Sequence, residues 1–257
     1  MRNLGPSILH VCLYITAPFA LWQGFVWVAA PKPYVFASPA HAWAALTGPR
    51  GVLVWQALWE SLAVLAVALP IAIIAGMALA LLMSLFRTAL SLVLPTLIGL
   101  FALPIYGLNR AFFSVLEVGF STRAAVAALI LYFPILIAGL VGLRTIDPAV
   151  LEAAKLDGAG RLRILISIMI PLAGPALAGG LMAAGAVAPL ALMAAEQSGL
   201  PGGLGQLILS QLNRDIDLSF AAMGLLILIG LTLFALADGA RRLLSTHTPD
   251  SFQLLRT

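Results

Sequence analysis

An all-helical membrane protein of six spans is the fold class this sequence predicts, and three observations predict it. Hydrophobic residues make up 62% of the 257-residue chain and charged residues only 9%, with a mean hydropathy of +1.07. Soluble domains carry about a quarter charged residues, so the solvent of this chain is largely lipid. The apolar residues gather into six runs, each near or above the roughly 20 residues that cross a bilayer as a helix. These runs are continuous and rich in Leu and Ala, without the alternation of barrel strands, and only helices and closed barrels satisfy their backbone in lipid. Residues 1–257 therefore read as a single transmembrane domain.

In chain order the spans are predicted over residues 8–30, 55–85, 89–108, 124–143, 165–195 and 220–243. The first follows Arg2 and resembles a signal peptide, but its apolar run exceeds the roughly 7–15 residues of a signal core, so a retained span is expected. The second is long enough to tilt or to begin in the interface. A short amphipathic stretch, residues 112–121, precedes the fourth span, and a polar island, residues 144–163, follows it. Interior prolines (Pro70, Pro95, Pro104, Pro134, Pro171, Pro175, Pro189) each remove a backbone donor and are expected to kink their helices. The single cysteine, Cys12, excludes an internal disulfide.

Cations set the orientation, because short loops rich in Lys and Arg stay cytoplasmic. With the N-terminus inside, nine cations (Arg2, Arg87, Arg144, Lys155, Arg161, Arg163, Arg241, Arg242, Arg256) lie on the inner side and five (Lys32, Arg50, Arg110, Arg123, Arg214) on the outer. Both termini and the polar island are then cytoplasmic. The net charge of +4 is what inward-placed cations leave behind, and no basic run with interleaved aromatics points to nucleic acid.

Within the island, Asp147 is placed to accept at a helix N-cap and Pro148 to occupy the first helical position, where a missing N–H costs nothing. A short amphipathic helix is expected to end where Gly158 and Gly160 allow a sharp turn. Small Ala153 and Ala154 admit a close partner surface, and Glu152 offers a charge-assisted contact. A solvated loop helix with Asp157 supported by Arg161 four residues on is the plainer reading of the same residues.

Glu152-Ala153-Ala154, three residues, Gly158, nine residues, Ile168, one residue, then Ile170-Pro171 resembles the cytoplasmic signature of importer-type (type I) ABC transporter permeases, Ile170 replacing the usual Leu. The resemblance implies a coupling segment over about residues 147–163, in which Glu152, Ala153, Ala154, Leu156, Asp157, Gly158 and Pro171 serve ATPase coupling. It also implies the partners: a second permease copy, two cytoplasmic nucleotide-binding ATPase subunits that hold ATP and Mg, and an external solute-binding protein. The bacterial inner membrane is the implied location.

Beyond the island, the chain resembles the nitrate, taurine, alkanesulfonate and thiamine-precursor permeases. The likeness rests on Ser38-Pro39 with Trp43-Ala44-Ala45-Leu46, on Ser61-Leu62, on Glu117 to Ser121, and on Ala195-Glu196 with Gly203-Leu204-Gly205. Ala63-Val64 departs from the basic residue that many such permeases carry after Ser-Leu. A small anion, such as a sulfonate, taurine or nitrate, or a small heterocyclic precursor is the implied solute.

Glu60, Glu117 and Glu196 fall near outer span ends, where they either are solvated at the interface or contact the binding protein and external gate. Arg110 and Arg123 either attract an anion or mark the interface. Tyr106, Asn109, Tyr132, Met182 and Met193 are the translocation-path candidates, with plain packing as the alternative for aromatics and Met. Gly174, Gly179, Gly180 and Gly185 suit close helix packing, including packing at a subunit interface. Asp238 is spaced to pair with Arg241 and Arg242.

Neither a phosphate-binding loop nor a Ser/His/acid set is present in the sequence, and His10, His41, His247 and Cys12 lack metal-ligand spacing. No cofactor or metal bound by the chain is expected, and ATP hydrolysis belongs to a partner. The alternatives are an ion-gradient-driven secondary transporter, which calls for inverted repeats or a membrane-centre acid, and a non-transporting scaffold.

Overall fold

The structure, a computed structural model, describes residues 5–86, 91, 92, 94–97, 99, 112, 115, 119–197 and 202–245. The predicted third span falls largely outside these residues, as do Tyr106, Asn109, Arg110 and Glu117. Among the described residues all regular structure is helical. The helices are α1 (Gly5–Ala29), α2 (Pro39–Thr47), α3 (Gly51–Leu85), α4 (Phe120–Arg144), α5 (Pro148–Leu156) and α6 (Arg161–Ile164). A π turn (Leu165–Met169) then leads into α7 (Ile170–Glu196), followed by α8 (Leu204–Gln211) and α9 (Ile216–Ser245).

Four described stretches are long and apolar enough to cross a membrane: Gly51–Leu85, Phe120–Arg144, Arg161–Glu196 and Ile216–Arg242. They correspond to the predicted second, fourth, fifth and sixth spans, and α1 covers the first. The fifth span begins at Arg161 rather than at residue 165, Arg161 and Arg163 opening the helical segment that leads into the apolar run. Between them and α7 the helix widens, with the Ile170 N–H donating to the Leu165 carbonyl five residues back. Pro171 has no N–H to give, and its ring would crowd the carbonyl four residues earlier, which a π turn relieves.

Helix α4 is the centre of the bundle, packed against α3 on one side and α7 on the other, and α7 in turn packs against α9. Small residues set these crossings, as expected where lipid removes the hydrophobic drive and close van der Waals contact takes over. A Cβ added at Gly142 on α4 would come 2.6 Å from the Ala176 Cβ on α7. One added at Gly180 would come 2.7 Å from the Ala138 Cβ on α4, and one at Gly185 2.7 Å from the Phe234 N on α9. Gly180 and Gly185 are thus committed to contacts within the chain, not to a subunit interface, whereas a Cβ at Gly179 would meet nothing within 4 Å. Gly174 is buried.

The two ends of the bundle differ in chemistry. At one end the Trp22 Nε1–H donates to the Ala37 carbonyl at 3.0 Å, while Trp27, Trp43, Trp55 and Trp59 remain exposed. Tryptophan concentrates at the level of lipid headgroups, so this ring marks a membrane boundary. Asp215 at this end pairs with Arg50 and accepts from the Leu218 N–H, tying the start of α9 to the α2–α3 turn. The opposite end carries the polar island, where Asp238 pairs with Arg241 at 3.0 Å and Arg242 at 2.6 Å, as their spacing predicts.

Candidate functional site

At the island end the sequence caps α5 at both termini. The Asp147 Oδ1 accepts from the Ala149 N–H at 2.8 Å and Pro148 opens the helix, so one orphan donor is satisfied and another is absent. At the far end Gly158 adopts φ +80. Its N–H donates to the Lys155 carbonyl and the Ala159 N–H to the Ala154 carbonyl, both at 3.0 Å. This pair of bonds is a Schellman cap, which needs a left-handed residue where only Gly, or less readily Asn, is comfortable. Asp157 and Arg161 therefore belong to separate helices, and the expected helical support between them does not form. Substituting Asp147→Ala is expected to cost about 1 kcal/mol of local helix stability, read as faster hydrogen exchange at the Ala149 amide.

Helix α5 divides its faces cleanly. Leu151 and Ala154 pack toward the core, as does Ala159 beyond the cap. Glu152, Ala153, Lys155, Leu156 and Asp157 are exposed, and Leu156 is 88% exposed, a large apolar side chain left uncovered on a polar helix. Leu162, Ile166 and Ile170 on the helical path that follows are exposed as well. Of the expected coupling residues, Glu152 to Gly158 thus form one protruding unit, whereas Pro171 stands apart in the first turn of α7. A cleft of about 720 Å³ lies between α5 and the end of α3, bounded by Ser84, Phe86, Leu151, Lys155 and Arg161.

The path candidates do not converge among the described residues. Tyr132 is buried and lines a cavity of about 580 Å³ between α3 and α4 with Phe112, Phe120, Ser121 and aliphatic side chains. Met182 and Met193 are outside its lining; Met193 instead lies under the start of α8, its Cα 2.7 Å from where a Cβ on Gly205 would be. Tyr106 and Asn109 are outside the described residues.

At the tryptophan end, two sequence motifs far apart in the chain meet, Ser61-Leu62 and Ala195-Glu196 with Gly203-Leu204-Gly205. Glu196, read from the sequence as either solvated at the interface or in contact with the binding protein and external gate, is completely buried on the last turn of α7, which rules out the solvated reading. Its Oε1 accepts from the Ser61 hydroxyl at 2.6 Å and its Oε2 from the Gly205 N–H at 2.7 Å. The Ser61 Oγ in turn accepts the Leu204 N–H at 2.8 Å. Gly203, at the N-cap of α8, has no side chain to cap with, so the first two N–H groups of α8 are capped from outside by residues of α3 and α7. A carboxylate at a helix N-terminus is also favoured by the helix dipole.

The chain reaches this cap through Gly202 and Gly203, with φ of +128 and +82. An added Cβ at Gly202 would overlap the Glu60 carboxylate, and one at Gly203 the Glu196 carboxylate. Glu60, half exposed, lies 3.4 Å from the guanidinium of buried Arg123, which balances the charge of this region. Ser61 was legible only as part of a weak motif, and the burial of Arg123 had no signal in the sequence. Glu117 lies outside the described residues.

Residues 43–248 match the family described as the binding-protein-dependent transport system inner membrane component. A probable ABC transporter permease protein of Haemophilus influenzae is 30% identical over 232 residues, covering 90% of this chain and 94% of that protein. The riboflavin transport system permease protein RibX of Chloroflexus aurantiacus is 35% identical over 151 residues, covering 58% of this chain and 56% of its own length. Among solved structures, a chain of the inward-facing MetNI methionine ABC transporter superposes with a TM-score of 0.62 at 19% identity. That superposition covers 77% of this chain and 99% of the other, and the likeness is one of fold.

Proposed function

Because the chain belongs to the family of binding-protein-dependent transport system inner membrane components, we propose that it is the permease subunit of an ATP-driven importer, coupled to its ATPase through α5. The observation that carries this reading is a capped helix whose outward face combines Glu152, the small Ala153 and the bare Leu156. A rigid helix tethered to membrane spans at both ends passes displacement on, whereas a floppy loop absorbs it.

Two copies of the permease enclose the path, two nucleotide-binding subunits hold ATP and Mg, and an external binding protein delivers solute. ATP-driven closure of the nucleotide-binding subunits draws the two α5 helices together and opens the path outward; hydrolysis returns it inward. The chain lies in the inner membrane with the island and both termini cytoplasmic. In support, six described cations (Arg144, Lys155, Arg161, Arg163, Arg241, Arg242) stand at the island end. At the other end the four described cations include Arg50 and Arg123, which are already paired with acids.

Of the two kinds of solute expected, the small heterocycle is the better supported. Among the described residues, the lining of the cavity beside Tyr132 is aromatic and aliphatic apart from Ser121 and includes no charged side chain, and a permease for riboflavin is among the relatives. The test is affinity purification of the tagged permease from its native host, followed by ATPase assays of the reconstituted complex. Co-purification of a nucleotide-binding subunit is expected, with hydrolysis stimulated by binding proteins loaded with heterocycles rather than with taurine, sulfonates or nitrate. Purification without any nucleotide-binding subunit overturns the permease reading.

A further inference from the structure

Resting on the permease reading, we propose that Glu196 is a positioning residue that locks α8 to the end of α7, so that displacement of α8 at the tryptophan end is delivered along α7 to the coupling helix. The geometry is a chain of rigid parts. Helix α8 has its first two N–H groups taken by Glu196 and Ser61 rather than by a cap of its own. It is therefore fastened to two other helices by the very groups that would otherwise need water. Glu196 ends a continuous helical path that runs back from Glu196 to Arg161, where the chain turns through Gly160 and Gly158 into α5. Coupling needs such a contiguous element rather than proximity alone.

The bonds that fasten α8 are short and buried, which separates them from an incidental surface contact. Glu196 is fully buried, and so is Ser61. The approach through Gly202 and Gly203 leaves no room for a side chain between α8 and the two acids. Further along, α8 is tied to α9, where the buried Ser219 hydroxyl donates to the Ile208 carbonyl at 2.9 Å, so the rest of the bundle holds α8 independently of Glu196. Loss of the Glu196 bonds should therefore free α8 from α7 without dismantling the bundle.

The test uses the permease–ATPase complex in nanodiscs, with Cys12 replaced by serine and spin labels placed at exposed Leu190 on α7 and Leu209 on α8, diluted with unlabelled permease. In the unmodified background one narrow distance distribution is expected, unchanged between nucleotide-free and ATP–vanadate-trapped states. In Glu196→Gln, which keeps the shape but replaces one of the two accepting oxygens by an NH2 donor, the distribution should broaden or shift on trapping. Binding-protein stimulation of hydrolysis should fall about tenfold, a buried polar group left without its partner costing roughly that much, with basal hydrolysis retained. A distance that shifts on trapping in the unmodified complex, or a Glu196→Gln complex indistinguishable from it, overturns the proposal. So does equal loss of basal and stimulated hydrolysis, the mark of a merely structural role. Ser61→Ala supplies the second variant, with the same expectations, should Glu196→Gln fail to assemble. Failure to recover any nucleotide-binding subunit with the unmodified permease counts against the permease reading instead.

Discussion

Gly158→Val is expected to lower ATP hydrolysis by the assembled complex about tenfold or more, since a non-glycine residue in the left-handed region costs roughly 1–2 kcal/mol and each 1.4 kcal/mol is a factor of ten. Valine is a severe case because its branched Cβ is least tolerant of positive φ. With φ near +80 denied, the Gly158 and Ala159 N–H bonds to Lys155 and Ala154 are lost together and the last turn of α5 frays. Glu152 and Leu156 then no longer share one rigid face, and only the fraction of molecules with an intact helix end can dock productively.

The damage should stop at the helix. A Cβ at Gly158 meets nothing within 4 Å, so no neighbouring side chain is displaced and the permease should still insert and purify in normal amount. Gly158→Asn, which tolerates left-handed φ, should retain most activity, and that contrast separates backbone conformation from side-chain bulk. Glu152→Ala leaves the helix intact, alanine being a stronger helix former, and removes only the charge offered to the partner. It should weaken retention of the nucleotide-binding subunit during purification without altering the thermal unfolding of the permease. Wild-type hydrolysis in both Gly158→Val and Glu152→Ala would falsify the coupling role of α5.

What could be read from the sequence was what is local. The spans follow from hydropathy because bilayer thickness fixes helix length, and α5 follows from Asp147-Pro148 and Gly158 because caps are set by immediate neighbours. What depended on distant partners was hidden. Glu196 read as an interfacial acid because nothing near it in the chain tells of Ser61, 135 positions away, or of the α8 N–H groups that turn back upon it. The helical path of the fifth span begins at Arg161, four residues before the apolar run, because a helix end that emerges from lipid carries cations readily. Gly180 and Gly185 were correctly read as packing residues, but hydropathy cannot distinguish a partner helix of the same chain from one of another.

Gly185→Val is expected to destabilise the bundle by about 1–3 kcal/mol or more, the usual range for forcing extra methyl groups into a packed interior. Here the obstacle is backbone, not a flexible side chain. A Cβ at Gly185 would lie 2.7 Å from the Phe234 N and 3.1 Å from the Leu233 carbonyl carbon. On the facing helix, a Cβ at Gly230 would lie 3.1 Å from the Gly185 carbonyl oxygen. The two helices meet glycine against glycine, and neither has a rotamer that relieves the overlap, so α7 and α9 must separate along their length. Gly179→Val, six residues earlier in α7, makes the same change in helix propensity in a place where an added Cβ meets nothing within 4 Å, and it should leave unfolding in detergent nearly unchanged. The difference between the two variants isolates the crossing from the intrinsic effect of losing a glycine. If both unfold alike, the α7–α9 contact contributes little, and α7 would be free to move against α9 rather than with it, which would remove the rigid path from α8 to the coupling helix.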